Sequence, residues 1–173
     1  MARVKNGELD LLNDLYDRYG KRLYNYFLKA TLDGMASDDL TQDLFIRVMK
    51  YRKSYKEGQQ VKFWVFQIAR NMVKDHFGKM KVKKDDYVEV SAISESLMEQ
   101  EEDSSREQLL YKAMALLPDD KRELLVLSKF EKTKYEELAA LRQTTVANIK
   151  VQVHRAIKEL KEHYFKLEAD EQG

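Results

Sequence analysis

Residues 144–164 read TTVANIKVQVHRAIKELKEHY, and this stretch decides the fold of the second half of the chain. Apolar residues recur in it every three or four positions, which is the period of an α-helix with one buried side. Thr144 or Thr145 can cap the start, because a threonine hydroxyl accepts a hydrogen bond from a first-turn N–H. We expect the helix to end near Tyr164. Its predicted buried side consists of Val146, Ile149, Val153, Ile157, Leu160 and Tyr164.

A shorter helix is predicted immediately before this one. Thr133 and Glu136 have the spacing of a capping box, and the apolar residues Tyr135, Leu138 and Leu141 follow. A short helix joined by about four residues to a long helix with a threonine cap is typical of a helix-turn-helix.

The outward side of the long helix carries side chains that a DNA-reading helix needs. The amides of Asn148 and Gln152 can bond an adenine edge, and Arg155 can bond guanine or phosphate. Val151 can contact a thymine methyl group and has no folding reason to face water. The alternative is an ordinary surface helix with Lys158 at its edge and one stray valine, since single exposed apolar residues are common.

Two further helices are predicted upstream of the helix-turn-helix. Ser104 and Glu107 form a second Ser-x-x-Glu capping box ahead of a periodic apolar segment. Pro118 separates that helix from a leucine-rich one that follows it. Residues 106–168 are therefore expected to form a four-helix domain.

Three longer amphipathic helices are predicted over residues 8–80. The first stops near Gly34, and the second begins at Ser37 as N-cap and ends near residues 57–58. The third spans about residues 61–78. Three such helices can close a core, so the fold class is all-α with two small helical domains, one of three-helix type and one of four helices.

Charge and composition support this division. Hydrophobic residues make up 43% and charged residues 35%, with only six Gly and one Pro, a balance typical of a helical protein. Residues 81–105 carry three Lys or Arg against eight Asp or Glu, and their periodicity fades, so we interpret them as a flexible acidic linker. Residues 1–80 carry 15 against 10, which favours a polyanionic partner for that domain.

Two helices of the N-terminal domain carry candidate binding surfaces. The third predicted helix places Gln67, Arg70, Asn71 and Lys74 in one polar arc with Asp75 at its edge. Twelve of the 18 aromatic residues also lie in residues 1–80, and basic side chains among aromatics suit unstacked bases. For most of these aromatics a core position is the better interpretation. Trp64 is the exception, since it is predicted beside the core positions.

The second predicted helix is apolar over a wide arc that includes Phe45 and Met49. Asp39, Asp43, Arg47 and Lys50 line its remainder. Such a helix either lies deep in a core or docks a partner, and core packing is the simpler of the two.

Several function classes find no support in the sequence. The chain has no cysteine, which excludes disulfides, thiolate nucleophiles and Cys-ligated metals. Its three histidines lack metal-ligand spacing, no common catalytic motif occurs, and Asp38, Asp39 and Asp43 are better explained as helix N-terminal charges. We expect no catalytic residue, metal or cofactor. No apolar stretch approaches the roughly 18 residues that span a bilayer, so we expect a cytoplasmic protein without membrane insertion.

Three segments, in this order and spacing, resemble the extracytoplasmic-function (ECF) sigma factors of the sigma-70 family. The segments are DDLTQDLFIRV at residues 38–48, FWVFQIARNMVKD at residues 63–75, and the C-terminal pattern that runs from LLP at residues 116–118 through YEELA at residues 135–139 to HRA at residues 154–156. The resemblance implies a two-domain initiation factor that is not an enzyme. Its implied partners are core RNA polymerase, through the β and β′ subunits, promoter DNA and an anti-sigma factor.

The resemblance also assigns a role to each part of the chain. Residues 8–80 correspond to sigma region 2, residues 81–105 to a linker that threads through the polymerase, and residues 106–168 to sigma region 4. The implied polymerase contacts are Asp39, Gln42, Asp43, Phe45 and Arg47. The implied −10 contacts are Trp64, Arg70, Asn71, Lys74 and Asp75. The implied −35 contacts are Thr145, Asn148, Val151, Gln152 and Arg155.

This chain departs from the family pattern in three places. Gln143 stands in the turn of the helix-turn-helix where the family usually has Gly, which is costly if the backbone there needs a positive φ. Gln152 stands where a basic residue is frequent, so a different −35 element is expected. The sequence Lys132-Thr133-Lys134 replaces a Gly-Leu-Ser type of lead-in, a change expected to alter the surface and leave the cap intact.

Two rival functions remain open from the sequence. One is a helix-turn-helix regulator that binds an operator while its N-terminal helices sense a ligand. Such a regulator binds duplex DNA without polymerase, whereas a sigma factor of this kind needs the core enzyme. The other rival is a helical adaptor with no DNA role, which the outward Asn148, Gln152 and Arg155 disfavour.

Overall fold

The computed structural model describes residues 1–6, 8, 11–83 and 105–172, and the regular elements in these residues are all helical. The chain divides into two compact units, one on each side of residues 84–104. The predicted all-α class with two helical domains is confirmed. Most of the predicted acidic linker lies outside the described residues.

The first unit is built from three long helices and one short one. The helices are α1 (Ala2–Lys5), α2 (Leu11–Thr31), α3 (Gly34–Tyr51) and α4 (Val61–Lys83), with a 3₁₀ turn at Arg52–Ser54. The helices α2, α3 and α4 pack pairwise around Tyr26, Phe27, Leu44, Val48 and Val65, all fully buried. The sequence did not predict α1, whose Val4 is buried.

The junction between α2 and α3 lies elsewhere than predicted. Leu32 has a φ of 59°, and this left-handed residue ends α2. Asp33 is the N-cap of α3, since its Oδ1 accepts a hydrogen bond from the Ala36 N–H at 3.0 Å. The prediction that Ser37 caps this helix is wrong, because Ser37 is fully buried inside the first turn and its Oγ donates to the Asp33 carbonyl. Gly34 starts α3 rather than stopping α2.

The segment between α3 and α4 is longer than predicted. Helix α3 ends at Tyr51, not near residues 57–58, and the chain continues through the 3₁₀ turn into extended Tyr55. Gly58 has a φ of 84° and turns the chain back toward α4. Helix α4 continues to Lys83 rather than ending at residue 78. The resulting loop, residues 52–60, forms one side of the candidate site described below.

The second unit contains the four predicted helices. They are α5 (Ser105–Ala115), α6 (Asp119–Leu125), which continues as one π-helical turn at Val126–Phe130, α7 (Tyr135–Arg142) and α8 (Val146–Gln172). Helix α8 packs against the other three, and Ile149, Val153 and Ala156 lie in the core. It extends eight residues beyond the predicted end at Tyr164, and Glu171 near its C-terminus pairs with Lys112 of α5 at 2.9 Å.

The caps of the helix-turn-helix are partly as predicted. Thr145 caps α8, since its Oγ1 accepts a hydrogen bond from the Asn148 N–H at 3.1 Å. The predicted Thr133–Glu136 box is wrong by one residue, because the N-cap of α7 is Lys134 and Glu137 accepts from its N–H at 3.3 Å. A lysine side chain cannot accept a hydrogen bond, so one half of the box is missing. The predicted Ser104–Glu107 box lies outside the described residues.

A buried arginine closes the C-terminal end of α5. The Nη1 atom of Arg122 donates to the carbonyl oxygens of Met114 and Leu117, both at 3.4 Å, and Nη2 donates to Asp119 at 2.7 Å. Burial lowers the pKa of Arg122, and the Asp119 carboxylate opposes that shift. The guanidinium therefore satisfies carbonyl groups that the helix end leaves without intrahelical donors.

Candidate nucleic-acid interface

A cleft of about 940 Å³ opens in the first unit between α3, the loop of residues 52–60 and α4. Four of the five predicted −10 residues line it, together with one predicted polymerase residue. The lining consists of Arg47, Tyr51, Ser54, Lys56, Glu57, Gln59, Trp64, Gln67, Ile68, Asn71, Lys74 and Asp75. The fifth, Arg70, is half-buried and is not part of the lining.

Trp64 is placed differently from the sequence prediction. It was expected beside the core, but only 5% of its surface is exposed. The Tyr55 ring packs edge-on against its indole, with ring centroids 5.6 Å apart, and the Tyr55 hydroxyl donates to the Gln59 carbonyl at 2.5 Å. The loop of residues 52–60 thus covers most of the indole. What remains accessible of Trp64 forms part of the cleft.

The polar lining of the cleft comes mainly from α4. Gln67, Asn71, Lys74 and Asp75 are all exposed, and their spacing places them on one side of the helix. An aromatic wall, two amides and a cation are the groups that hold an unstacked base and its phosphate. Gln59 and Ser54, which also line the cleft, were missed because loop residues carry no periodic signal.

An ion pair connects α3 to α4 inside the same cleft. Arg47 Nη1 lies 3.5 Å from Asp75 Oδ2, and the two side chains are 36% and 56% exposed. The structure therefore brings together one residue assigned by resemblance to polymerase and one assigned to DNA.

The outer surface of α3 combines charge with exposed apolar groups. Asp39, Gln42 and Asp43 are exposed, as predicted for a docking helix. Phe45 is half-buried, with its ring 5.0 Å from that of Tyr16 on α2. Ile46 is 57% exposed and was missed, although its position on the helical wheel beside Met49 could have revealed it.

The outward side of α8 presents most of the predicted DNA-reading residues. Asn148 and Arg155 are exposed, and Val151 is 46% exposed, which confirms an apolar residue facing solvent. Thr145 is exposed as well as being the cap. The Nδ2 of Asn148 donates to Thr144 Oγ1 at 2.8 Å, so this amide is oriented before any DNA is bound.

Gln152 is the most buried member of this set. It is half-buried, and its Oε1 accepts a hydrogen bond from Arg142 Nη1 at 3.3 Å. Sequence reasoning missed Arg142, because its partners lie 10 to 22 residues away along the chain.

The turn of the helix-turn-helix is left-handed without a glycine. Gln143 has φ 53° and ψ 48°, and its N–H donates to the Ala140 carbonyl at 3.3 Å. Lys132, which also stands where the family has Gly, has a φ of 50°. Both positions therefore carry the backbone strain that glycine avoids. The lead-in also alters the cap of α7, contrary to our expectation, because Lys134 occupies the capping position.

Two features of the described residues bear on other functions. Among the residues described, no group of three or more His, Cys, Asp or Glu could hold a metal ion. No helix in the described ranges is long and apolar enough to cross a membrane.

Comparison with known families identifies both units. The family model for Sigma-70 region 2 matches residues 15–81, and the model for Sigma-70 region 4 matches residues 107–160. RNA polymerase sigma factor CarQ of Myxococcus xanthus is 30% identical over 172 residues, 98% of either chain. ECF RNA polymerase sigma factor SigM of Bacillus subtilis is 30% identical over 156 residues, 88% of this chain and 94% of that one.

Solved structures share the fold. The sigma factor RpoE of Bartonella quintana, solved with the anti-sigma factor NepR, matches with a TM-score of 0.74 at 23% identity, covering 87% of this chain and 94% of that one. CnrH, solved with the cytosolic domain of CnrY, matches with a TM-score of 0.72 at 19% identity, covering 98% and 95%.

The fold defines an all-α protein of two helical units with a helix-turn-helix in the second. The chain belongs to the ECF sigma factors of the sigma-70 family. Its function is therefore that of a sigma factor in promoter-directed transcription initiation. The operator-binding regulator considered above is not favoured by these similarities. Sigma factors in general are not enzymes.

Proposed function

We propose that this sigma factor joins core RNA polymerase mainly through the outer surface of α3. Asp39, Gln42 and Asp43 supply exposed polar groups next to exposed Ile46 and Met49. An interface of this kind buries the apolar side chains and uses the charges for orientation and partner choice. Phe45 supports this surface from below through its contact with Tyr16, and Arg47 lies at its edge toward the cleft.

The cleft of the first unit is proposed to hold the opened strand of the −10 element. Its volume of about 940 Å³ has room for an unstacked base, with the accessible part of Trp64 in its lining and Asn71 as a hydrogen-bonding group. Lys74 would bond phosphate and Asp75 would accept from base amino groups. Arg70, which is half-buried beside the cleft, would contribute charge rather than a direct base contact.

The outward side of α8 is proposed to enter the major groove of the −35 element. Thr145 and Asn148 lie at its N-terminal end, where a recognition helix meets the bases. Val151 and Gln152 come next, and Arg155 lies farther along, where it would reach phosphate. The observation that carries this assignment is the exposure of Val151 between polar residues.

The remaining partners are proposed from the family. RpoE and CnrH were solved with NepR and with the cytosolic domain of CnrY, so we propose that an anti-sigma factor also controls this chain. The β and β′ subunits are the proposed polymerase contacts, and the acidic segment at residues 81–105 would thread through the polymerase. The protein would act in the cytoplasm, without catalysing a reaction and without a cofactor. The domain limits of 8–80 and 106–168 remain proposals.

Run-off transcription tests the whole assignment. Core RNA polymerase with and without the full chain is supplied with a library of promoter-like templates, and the transcripts are sequenced. The chain should produce discrete start sites that share two spaced sequence elements. Transcripts that are the same with and without the chain would refute the proposal.

A further inference from the structure

One arginine connects three helices of the second unit. Arg142 is the last residue of α7, and its Nη2 donates to the Asp120 carbonyl at 2.6 Å and to Glu123 Oε2 at 2.8 Å, both on α6. Its Nη1 donates to Gln152 Oε1 on α8 at 3.3 Å. The same guanidinium thus contacts both α6 and α8, the helix proposed to read DNA.

The ion pair between Arg142 and Glu123 is largely buried. The side chains of Arg142 and Glu123 are 10% and 8% exposed. A planar guanidinium held by a carboxylate and a carbonyl has little freedom to turn. Arg142 is therefore a rigid group that directs one of its Nη1 N–H bonds at Gln152.

This geometry fixes the orientation of the Gln152 amide. A guanidinium donates hydrogen bonds and accepts none, so the amide atom that faces it must be the oxygen. The Nε2 of Gln152 then points away from Arg142. Because an amide nitrogen only donates, the free end of this side chain is a hydrogen-bond donor.

We propose that Arg142 is a positioning residue for promoter specificity, which holds Gln152 with Nε2 presented to the major groove. The inference rests on the proposed function of α8 as the −35-reading helix. Guanine, thymine and adenine each present an acceptor in the groove, whereas cytosine presents its amino donor. The base that Gln152 contacts is therefore one with an acceptor, and cytosine there is disfavoured.

An ion pair that joins α6 directly to α8 separates positioning from simple support. Lys121 of α6 pairs with Glu159 of α8 at 2.5 Å, with side chains 37% and 28% exposed. Glu159 is outside the set proposed to face DNA. Loss of either pair removes a contact between α6 and another helix of the second unit, but only loss of Arg142 frees the Gln152 amide.

The test is promoter competition by the full chain assembled with core RNA polymerase. Each −35 position is replaced in turn by all four bases, and relative affinities are measured. Gln152→Ala locates the position that depends on this amide.

Two variants remove the Arg142 contact. Arg142→Lys keeps the charge, but its single side-chain nitrogen cannot bond all the partners of the guanidinium. The double variant Glu123→Gln/Arg142→Met avoids leaving a buried carboxylate unpaired. Lys121→Ala is the matched control, and circular dichroism melts show that each variant is folded.

Discrimination against cytosine at the Gln152-dependent position should fall about fivefold or more in both Arg142 variants, which corresponds to the lower range of a single base contact. At the other −35 positions the Arg142 variants should keep the base preferences of the unaltered chain. The Lys121→Ala variant should keep those preferences at every −35 position. If both Arg142 variants retain full discrimination while Gln152→Ala loses it, the positioning role is refuted and the base contact stands. If Gln152→Ala weakens all promoters equally, the base contact itself is refuted, and the positioning role with it.

Discussion

Arg47 on α3 pairs with Asp75 on α4 at 3.5 Å, and both side chains line the cleft that contains Trp64 and Asn71. The family resemblance assigns Arg47 to polymerase and Asp75 to the −10 strand. In the free chain the two residues form an ion pair with each other. Under the proposed assignments, polymerase binding at Arg47 and strand binding at Asp75 would draw on the same ion pair, which would give the two events a physical means of coupling.

The first prediction concerns this coupling. Arg47→Ala and Asp75→Ala should each change the free energy of unfolding by no more than about 1 kcal/mol, because the pair is largely exposed. Their effects on open-complex lifetime should be non-additive by about 0.5 kcal/mol or more in a double-mutant cycle. The exposed pair Lys158–Glu162 is the control, and its two alanine variants should add. Additive effects of Arg47 and Asp75 would show that the pair has no role in initiation.

The second prediction separates the core role of Trp64 from binding in the cleft. Trp64→Ala should destabilise the first unit by about 3 to 5 kcal/mol, since the indole is buried, so its loss of activity cannot isolate base stacking. Asn71→Ala, at an exposed position, should change stability by less than about 0.5 kcal/mol.

Permanganate footprinting measures how Asn71→Ala changes opening of the −10 region. Asn71→Ala should reduce reactivity of the −10 region more than it reduces closed-complex formation. Asn13→Ala, at an exposed position on α2, is the matched control and should leave both unchanged. An unchanged footprint in Asn71→Ala would place the strand outside the cleft.

The third prediction concerns polymerase capture. Asp43→Lys reverses an exposed charge on the proposed docking surface, and it should weaken core enzyme binding about tenfold or more. Asp170→Lys makes the same change at an exposed position on α8 and should have little effect. Affinity for core enzyme is measured by fluorescence titration of labelled chain. Equal affinities for both variants would remove Asp43 from the interface.

The fourth prediction follows from the missing cap and the missing glycine of the helix-turn-helix. Lys134→Ser restores a capping oxygen and should stabilise the second unit by about 1 kcal/mol, whereas Lys134→Ala should not. Gln143→Gly should add about 0.5 to 1 kcal/mol, because glycine adopts a left-handed backbone without steric cost. Urea unfolding followed by circular dichroism measures both effects. Destabilisation by Gln143→Gly would mean that the turn is not left-handed in solution.

Much of the fold follows from the sequence, because apolar periodicity specifies helices and their buried sides. A threonine cap at residue 144 or 145 and Val151 as an exposed apolar residue could both be predicted from the sequence, and the structure shows that Thr145 is the cap. The boundary between α2 and α3 could not, since Asp33 and Ser37 are both good caps. The left-handed backbone at Leu32 makes Asp33 the cap of α3, and no local sequence pattern predicts that conformation for a leucine.

Features of the site that depend on long-range contacts were also beyond sequence reasoning. The burial of Trp64 results from a loop that packs Tyr55 over it, and this loop has no periodicity. Arg142 was missed for a similar reason, since Glu123 and Gln152 lie on two other helices. A helical wheel describes one helix at a time and contains no information about such partners.

Sigma-factor function is tested by the affinity of the full chain for a promoter fragment selected by run-off transcription. This affinity is compared with that for a scrambled fragment, with and without core RNA polymerase. A sigma factor of this kind should prefer the promoter strongly when core enzyme is present and show little preference alone. Specific binding of the duplex by the chain alone, unchanged when core enzyme is added, would contradict the account and support an operator-binding regulator.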